Sequence, residues 1–289
     1  MWKYASVLLV VLPAIAPAAD MRSRFATLDG SRIHYSSYGD GREAAVFIHG
    51  WTCDSTSWRF QAPVYEHRRS LLIDLPGHGA SDKPQVSYTM EYFARAVDAV
   101  MEDAGVERAT LIGHSMGTPV AVQFLRMFPN KVTGLVIVDG FIPGPPKSDS
   151  ERKKQAAQAA MMTKMYRGPE YKENLERMFD SLFTPNTPES VREDVAKKAL
   201  STPQYVVAST MEGMMAISPV YESWPDVPVV AAMVKREGSE QFRRFLKSRF
   251  ELVRYEDFEH TGHFLMMEQP DKFNAILESF LDSRAGESR

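Results

Sequence analysis

The sequence predicts an α/β protein: a mostly parallel, twisted sheet with helices on both faces and an inserted helical lid. Three observations predict it. Short apolar runs ending at glycine, such as "AAVFIHG", "SLLIDLPG", "ATLIG" and "VTGLVIVDG", alternate with segments of helical length. Runs of this kind are strands buried on both faces, and their alternation with helices makes parallel crossovers. From about residue 141 to 224 helix signals replace strand runs altogether, and the 289-residue length suits one α/β domain carrying such an insertion.

Taken in order, "RFATLDGSRIHYSSYGDG" reads as two short strands joined at Asp29-Gly30, a dipeptide suited to the positive φ angles of a tight hairpin. "AAVFIHG" and "SLLIDLPG" are buried strands, and Ser55 to Glu66 between them has helical length and opens on capping residues. A helix from about Met90 to Ala104 leads to the strand "ATLIG". A helix from Met116 to Phe128, stopped by Pro129-Asn130, leads to the strand "VTGLVIVDG". In the insertion, Thr187-Pro188 and Thr202-Pro203 each set a capping threonine before a proline suited to the first helical position, and three or four helices are expected. The sheet resumes at "VPVVAAM", followed by a helix near Ser239 to Lys247, the strand "FELVRYE" and a closing helix from about Pro270 to Leu281. This divides the chain into a core, 20–140 with 225–289, and a helical lid, 141–224. No repeat or low-complexity segment interrupts it.

Residues 1–19 read as a secretory signal: one lysine, an apolar run from Ala5 to Ile15, and Ala16-Pro17-Ala18 as a cleavage site after Ala18 or Ala19. That run is shorter than the roughly 20 residues of a membrane span. The expectation is an exported chain, periplasmic or extracellular, with no stable membrane span after cleavage. Apolar residues at 44% and charged residues at 25% describe a folded protein, and a net charge of -3 gives no reason to expect nucleic acid as a partner. Cys53 is the sole cysteine, so an intrachain disulfide is impossible; it reads as a small buried apolar residue.

The chemistry centres on "GHSMG", residues 113 to 117, with an apolar strand before it and a helix after it. Strand, sharp turn and helix make G-x-S-x-G a nucleophile elbow, with Gly113 and Gly117 relieving crowding around Ser115. The helix start also points free N–H groups at the site, so the Met116 N–H is a candidate oxyanion donor. "IHGW", where another strand ends at the same edge, offers the Trp51 N–H as the second. His49 reads as a residue that hydrogen-bonds loop backbone. A serine hydroxyl needs a base. His263, after a glycine in "EHTGHFLMMEQP", is the candidate, and His260 reads as a surface residue. Asp74, His78 and Asp82 lie in a Gly/Pro loop without metal-ligand spacing, so neither a metal nor a cofactor is expected.

"HGW", "DLPGHGASDKP", "GHSMG" and "GHFLMMEQP", in this order, resemble the α/β-hydrolase family, in its lid-bearing, esterase-like branch. The resemblance covers nearly all of the chain after residue 19. It implies a triad of Ser115, His263 and an intervening acid, with oxyanion donors at Trp51 and Met116. The acid commonly follows the seventh strand in a pattern like "VPVLAIWGEKD"; here "VPVVAAMVKREGSE" offers only Glu237 in register. A second arrangement takes it from the end of the sixth strand, where Asp139 stands. A carboxylate ending so apolar a strand needs a partner once desolvated, which favours Asp139 over Glu237.

The implied activity is hydrolysis of a small carboxylic ester with an apolar acyl or aryl group. Methionines in "AAMMTKMY" and "STMEGMMAIS" suit an apolar pocket and ordinary helix packing equally. Lactone or amide hydrolysis, perhydrolysis and carbon-carbon cleavage are alternatives on the same fold. A non-catalytic ligand-binding member is an alternative of another class. Epoxide hydrolases and haloalkane dehalogenases are disfavoured, because those relatives carry aspartate where this chain has Ser115.

Overall fold

A computed structural model describes residues 20–142, 148–216 and 226–287. The proposed signal segment therefore lies outside the described residues.

The chain opens with the expected hairpin, β1 (Arg22–Leu28) and β2 (Ser31–Tyr38), turned by Asp29 at φ 48° and Gly30 at φ 79°. Both central residues are left-handed, as the tight hairpin turn requires. β3 (Glu43–Ile48) and β4 (Ser70–Ile73) follow as buried runs. The segment between them begins as a 3-10 helix, Ser55–Gln61, whose Asp54 side chain accepts the Thr56 N–H, and continues as α1 (Ala62–Tyr65). Then come α2 (Met90–Asp103), β5 (Arg108–His114), α3 (Gly117–Met127) and β6 (Val132–Val138), close to the bounds the sequence predicts.

Among the described residues, four helices stand between β6 and the next strand: α4 (Asp149–Arg167), α5 (Tyr171–Asp180), α6 (Glu189–Ser201) and α7 (Gln204–Met215). Their starts correct one expectation. Pro188 and Pro203 are the extended N-cap residues rather than first helical residues, with ψ near 140°. The threonines before them serve other ends: Thr187 Oγ1 accepts the Thr184 N–H, and Thr202 Oγ1 donates to the Lys198 carbonyl, closing α6. Each hydroxyl thus finds a partner upstream, and the fixed proline φ alone directs the next helix.

The chain closes with β7 (Pro228–Val234), α8 (Ser239–Lys247), β8 (Glu251–Phe258), the short α9 (Leu265–Glu268) and α10 (Pro270–Glu287). α9 lies inside "HFLMMEQP", a stretch too short to carry a helical periodicity of its own. α10 runs past the predicted end at Leu281.

One eight-stranded sheet results, in the order β1-β2-β4-β3-β5-β6-β7-β8. β1 and β2 pair antiparallel with their neighbours, and every pair from β4-β3 to β7-β8 is parallel. α2 and α3 pack together as one group, and α1 and α10 as another. The parallel register sets Ile48 beside Gly113, His114 beside Val138, and Val138 beside Ala232. The residues leaving β3, β5, β6 and β7 therefore emerge side by side, where open α/β sheets bind ligands.

Candidate active site

The hydrogen-bond ladder continues one residue beyond two of these strands. Ser115 N–H donates to Val138 O at 3.0 Å, and Asp139 N–H donates to Ala232 O at 2.8 Å. Each then turns sharply, with φ of 51° at Ser115 and 38° at Asp139. Left-handed backbone is uncommon for residues with a Cβ and marks a turn held by its surroundings.

Crowding around Ser115 shows why glycines flank it. A Cβ on Gly113 would lie 2.5 Å from the Gly117 carbonyl oxygen, and one on Gly117 would lie 2.2 Å from the Ile48 carbonyl oxygen. α3 therefore starts directly against the end of β3. The turn after β3 also lies against this site, because a Cβ on Gly50 would fall 2.9 Å from His114 Nδ1 and 3.2 Å from Ser115 Cβ. That turn is closed by Cys53 N–H donating to Gly50 O at 3.2 Å, with Thr52 at φ 57°. Neither the Trp51 N–H nor the Met116 N–H has a hydrogen-bond acceptor among the described residues. Two adjacent turns thus present unused backbone donors beside Ser115.

His263 Nδ1–H donates to Asp139 Oδ2 at 2.6 Å. The Asp139 side chain is fully buried and takes further bonds: Val234 N–H to Oδ1 at 3.0 Å and the Arg236 guanidinium to Oδ2 at 2.6 Å. Burial pushes this carboxyl up, but the bond and charge of His263, the Arg236 charge and the Val234 N–H outweigh it. Asp139 therefore titrates below the ordinary carboxylate range. Of the two acids the sequence offers, Asp139 meets the histidine; Glu237 is exposed. The His263 backbone N–H donates to the Leu182 carbonyl at 2.9 Å, so the insertion helps hold the histidine loop.

Ser115, His263, Asp139 and Trp51 line one cavity of about 260 Å³. Its remaining wall is largely apolar, and the inserted helices contribute Met162, Met178, Met211, Met214 and Met215 to it. Four of these five stand in the two methionine-rich stretches noted in the sequence; Met178 had no such signal. Trp51 packs edge-on to Tyr166 at 4.9 Å and stacks on Phe179 at 6.1 Å, which fixes the turn carrying its N–H. Ion pairs join insertion to core: Lys198 with Asp54 at 3.1 Å and Asp194 with Arg59 at 2.9 Å.

The other singled-out residues are structural. His49 Nδ1–H donates to the Gly50 carbonyl at 2.8 Å and Nε2 accepts the Leu75 N–H at 3.0 Å, so it shapes the turn as expected. Buried Asp74 accepts from Ser55 N–H, Ala80 N–H and His34 at 2.7 to 2.9 Å. These bonds hold it well below the usual carboxylate range despite burial. No group of His, Cys, Asp or Glu suited to a metal ion occurs among the described residues. Cys53 is buried at the cavity wall, and burial pushes its thiol up to about 12. His260 is exposed. Sequence reasoning missed Arg236 and His114, whose contacts join segments far apart in the chain.

A parallel sheet whose strand ends gather a serine turn, free N–H groups and a buried carboxylate-histidine pair defines an α/β protein of hydrolase type. The alpha/beta hydrolase family model matches residues 45–276, and the chain belongs to that family. A 2-hydroxy-6-oxononadienedioate/2-hydroxy-6-oxononatrienedioate hydrolase of Paraburkholderia phymatum is 34% identical over 120 residues, 39% of this chain and 42% of that protein. The chain matches between 31% and 44% of the length of such curated relatives. Among solved structures, the esterase EaEST from Exiguobacterium antarcticum superposes with a TM-score of 0.76 at 20% identity, over 90% of this chain and all of that one. Epoxide hydrolase VrEH1 from Vigna radiata superposes at 0.74 with 19% identity, over 91% of this chain and 98% of that one. At these identities the likeness is one of fold. Among the described residues no helix is long and apolar enough to cross a membrane.

Proposed function

We propose that the chain is a serine hydrolase that cleaves small carboxylic esters with an apolar acyl or aryl group through an acyl-enzyme. The observation that carries this reading is the 2.6 Å Asp139–His263 bond on a cavity that also holds Ser115 at its left-handed turn. Ser115 Oγ attacks the ester carbonyl while His263 Nε2 takes its proton. The carbonyl oxygen becomes an oxyanion that the Trp51 and Met116 N–H groups receive. Collapse breaks the ester C–O bond, and the alcohol leaves with the proton from His263. Water then attacks the Ser115 acyl carbon and gives its proton to His263, which returns that proton to Ser115 Oγ as the acyl C–O bond breaks and the acid leaves. Asp139 keeps a proton on His263 Nδ1 throughout and stabilises the imidazolium that forms when Nε2 is protonated. No step calls for a metal or a cofactor.

The apolar wall and modest volume favour a short acyl or aryl group over a long chain. Ester panels of graded acyl length test this, run beside Ser115→Ala. The expected result is turnover of short esters, lost by at least about a thousandfold in the variant. Equal turnover by Ser115→Ala defeats the reading. The Paraburkholderia phymatum relative supports a second one, carbon-carbon hydrolysis. A 2-hydroxy-6-oxo-dienoate in the panel separates the two, since its cleavage needs no ester oxygen.

A further inference from the structure

Arg236 shares one oxygen with the histidine. Its guanidinium lies 2.6 Å from Asp139 Oδ2, and His263 Nδ1 lies 2.6 Å from the same atom. Asp139 is fully enclosed, whereas the Arg236 side chain is 55% exposed and also lines the cavity. The Arg236 backbone is anchored by its N–H to Ser239 Oγ at 3.0 Å, so the side chain reaches Asp139 from a fixed turn.

Other groups around the pair come from several elements. His114 on β5 has its ring 4.7 Å from that of His263 and is held neutral by burial. Tyr255 on β8 feels the Asp139 charge and carries Arg243 over its ring, itself paired with Asp257 at 2.9 Å. Glu268 on α9 accepts the Gly262 N–H at 2.9 Å, one residue before His263. The Lys235–Glu259 pair lies outside at the surface. Among the described residues, Arg236 is thus the arginine bonded directly to the carboxylate.

We propose that Arg236 is a positioning residue of the Asp139–His263 pair: it fixes the carboxylate by the oxygen that receives the imidazole, and its charge opposes proton uptake by the pair. The inference rests on the proposed hydrolase reading for its catalytic consequence, but not for the behaviour of the pair itself. A fixed positive charge beside the shared oxygen opposes proton uptake by the pair as a whole. Removing it draws a proton onto the pair at higher pH. Partial exposure screens the effect, so the change is about half a unit to one unit.

The test compares the unmodified chain with Arg236→Met, Arg236→Gln and Arg236→Lys. Two readouts are taken: NMR titration of the His263 ring carbon-proton signal in the free protein, and the acid limb of kcat/KM for an ester that is turned over. In Arg236→Met and Arg236→Gln both midpoints move to higher pH by that amount, and Arg236→Lys restores them. Should Arg236→Met fail to fold, Arg236→Gln still removes the charge while keeping a donor. Unchanged midpoints in a folded neutral variant overturn the proposal, even if kcat falls. A shifted ring titration in a protein with no turnover at all upholds the role in the pair and defeats the hydrolase reading instead.

Discussion

His114 Nε2–H donates to the backbone carbonyl of His263 at 3.0 Å, so the residue just before the serine turn holds the loop that carries the imidazole. Burial, with the nearby His263 charge adding to it, pulls His114 down to about 3, so it stays a neutral donor through the working range. Replacing it by leucine keeps the volume and removes the bond. We expect His114→Leu to lose about 1–2 kcal/mol of stability and roughly tenfold in kcat, read by urea unfolding and ester turnover. Full activity in the variant shows that the histidine loop holds its place without this bond.

The choice of acid is separately testable. Asp139→Asn leaves the shape but favours the wrong imidazole tautomer, with an expected loss in kcat of about 10³–10⁴. Glu237→Gln changes an exposed side chain and should stay within about twofold of the unmodified protein. Reversed outcomes assign the role to Glu237.

Acid should lower the stability of this protein over two pH windows. His78 and His114 are fully buried and pulled down to about 3, chiefly by burial, so in the folded state they refuse protons that the unfolded chain takes up below about 6.5. Their contribution is complete above that pH and is lost as pH falls from about 6.5 toward 3, by about 2 kcal/mol each on reaching pH 5. Asp74 and Asp139 are lowered carboxylates, so their contribution is present above about 3.9 and disappears below it. Urea midpoints measured at pH 7 and 5 should differ in the unmodified protein and differ less in His78→Gln. Equal midpoints at the two pH values contradict this account of the buried histidines.

Close packing at the serine turn makes a steric prediction. Gly117→Ala drives a methyl group into the Ile48 carbonyl at 2.2 Å, whereas Gly168→Ala meets the Lys164 carbonyl at an ordinary 3.5 Å. We expect the first to destabilise by about 1–3 kcal/mol and to abolish turnover by shifting Ser115, and the second to do neither. Thermal unfolding with an activity assay distinguishes them.

The inserted helices should set substrate size. Met211 is buried and lines the cavity, and Met211→Ala opens it by several heavy atoms. The preferred acyl group should lengthen by one or two carbons on an ester ladder, with the stability loss of an ordinary core truncation.

Most of the fold is legible because buried parallel strands and helix crossovers leave periodic, composition-level signals. β3 through β8 stand close to where the apolar runs put them. Ser115, His49 and the Trp51 turn are legible for the same reason, since a serine turn between strand and helix needs small neighbours at fixed spacing. The acid is only half legible. Burial of a strand-end carboxylate favours Asp139, yet the bond to His263 spans 124 residues and no local pattern encodes it. Arg236 hides in the mixed charge run "KREGSE", because its bond to Asp139 depends on how β6 and β7 align. The threonine-proline pairs mislead because a hydroxyl can bond upstream as readily as downstream, and only the fold selects.

The proposed hydrolase activity requires Ser115 to be an activated nucleophile. Treating the folded protein with a fluorophosphonate probe and mapping the modified peptide by mass spectrometry tests it most directly. One stoichiometric adduct on Ser115 is expected, formed at least about a thousandfold more slowly in His263→Ala. An adduct on another residue, or none on folded protein, contradicts it.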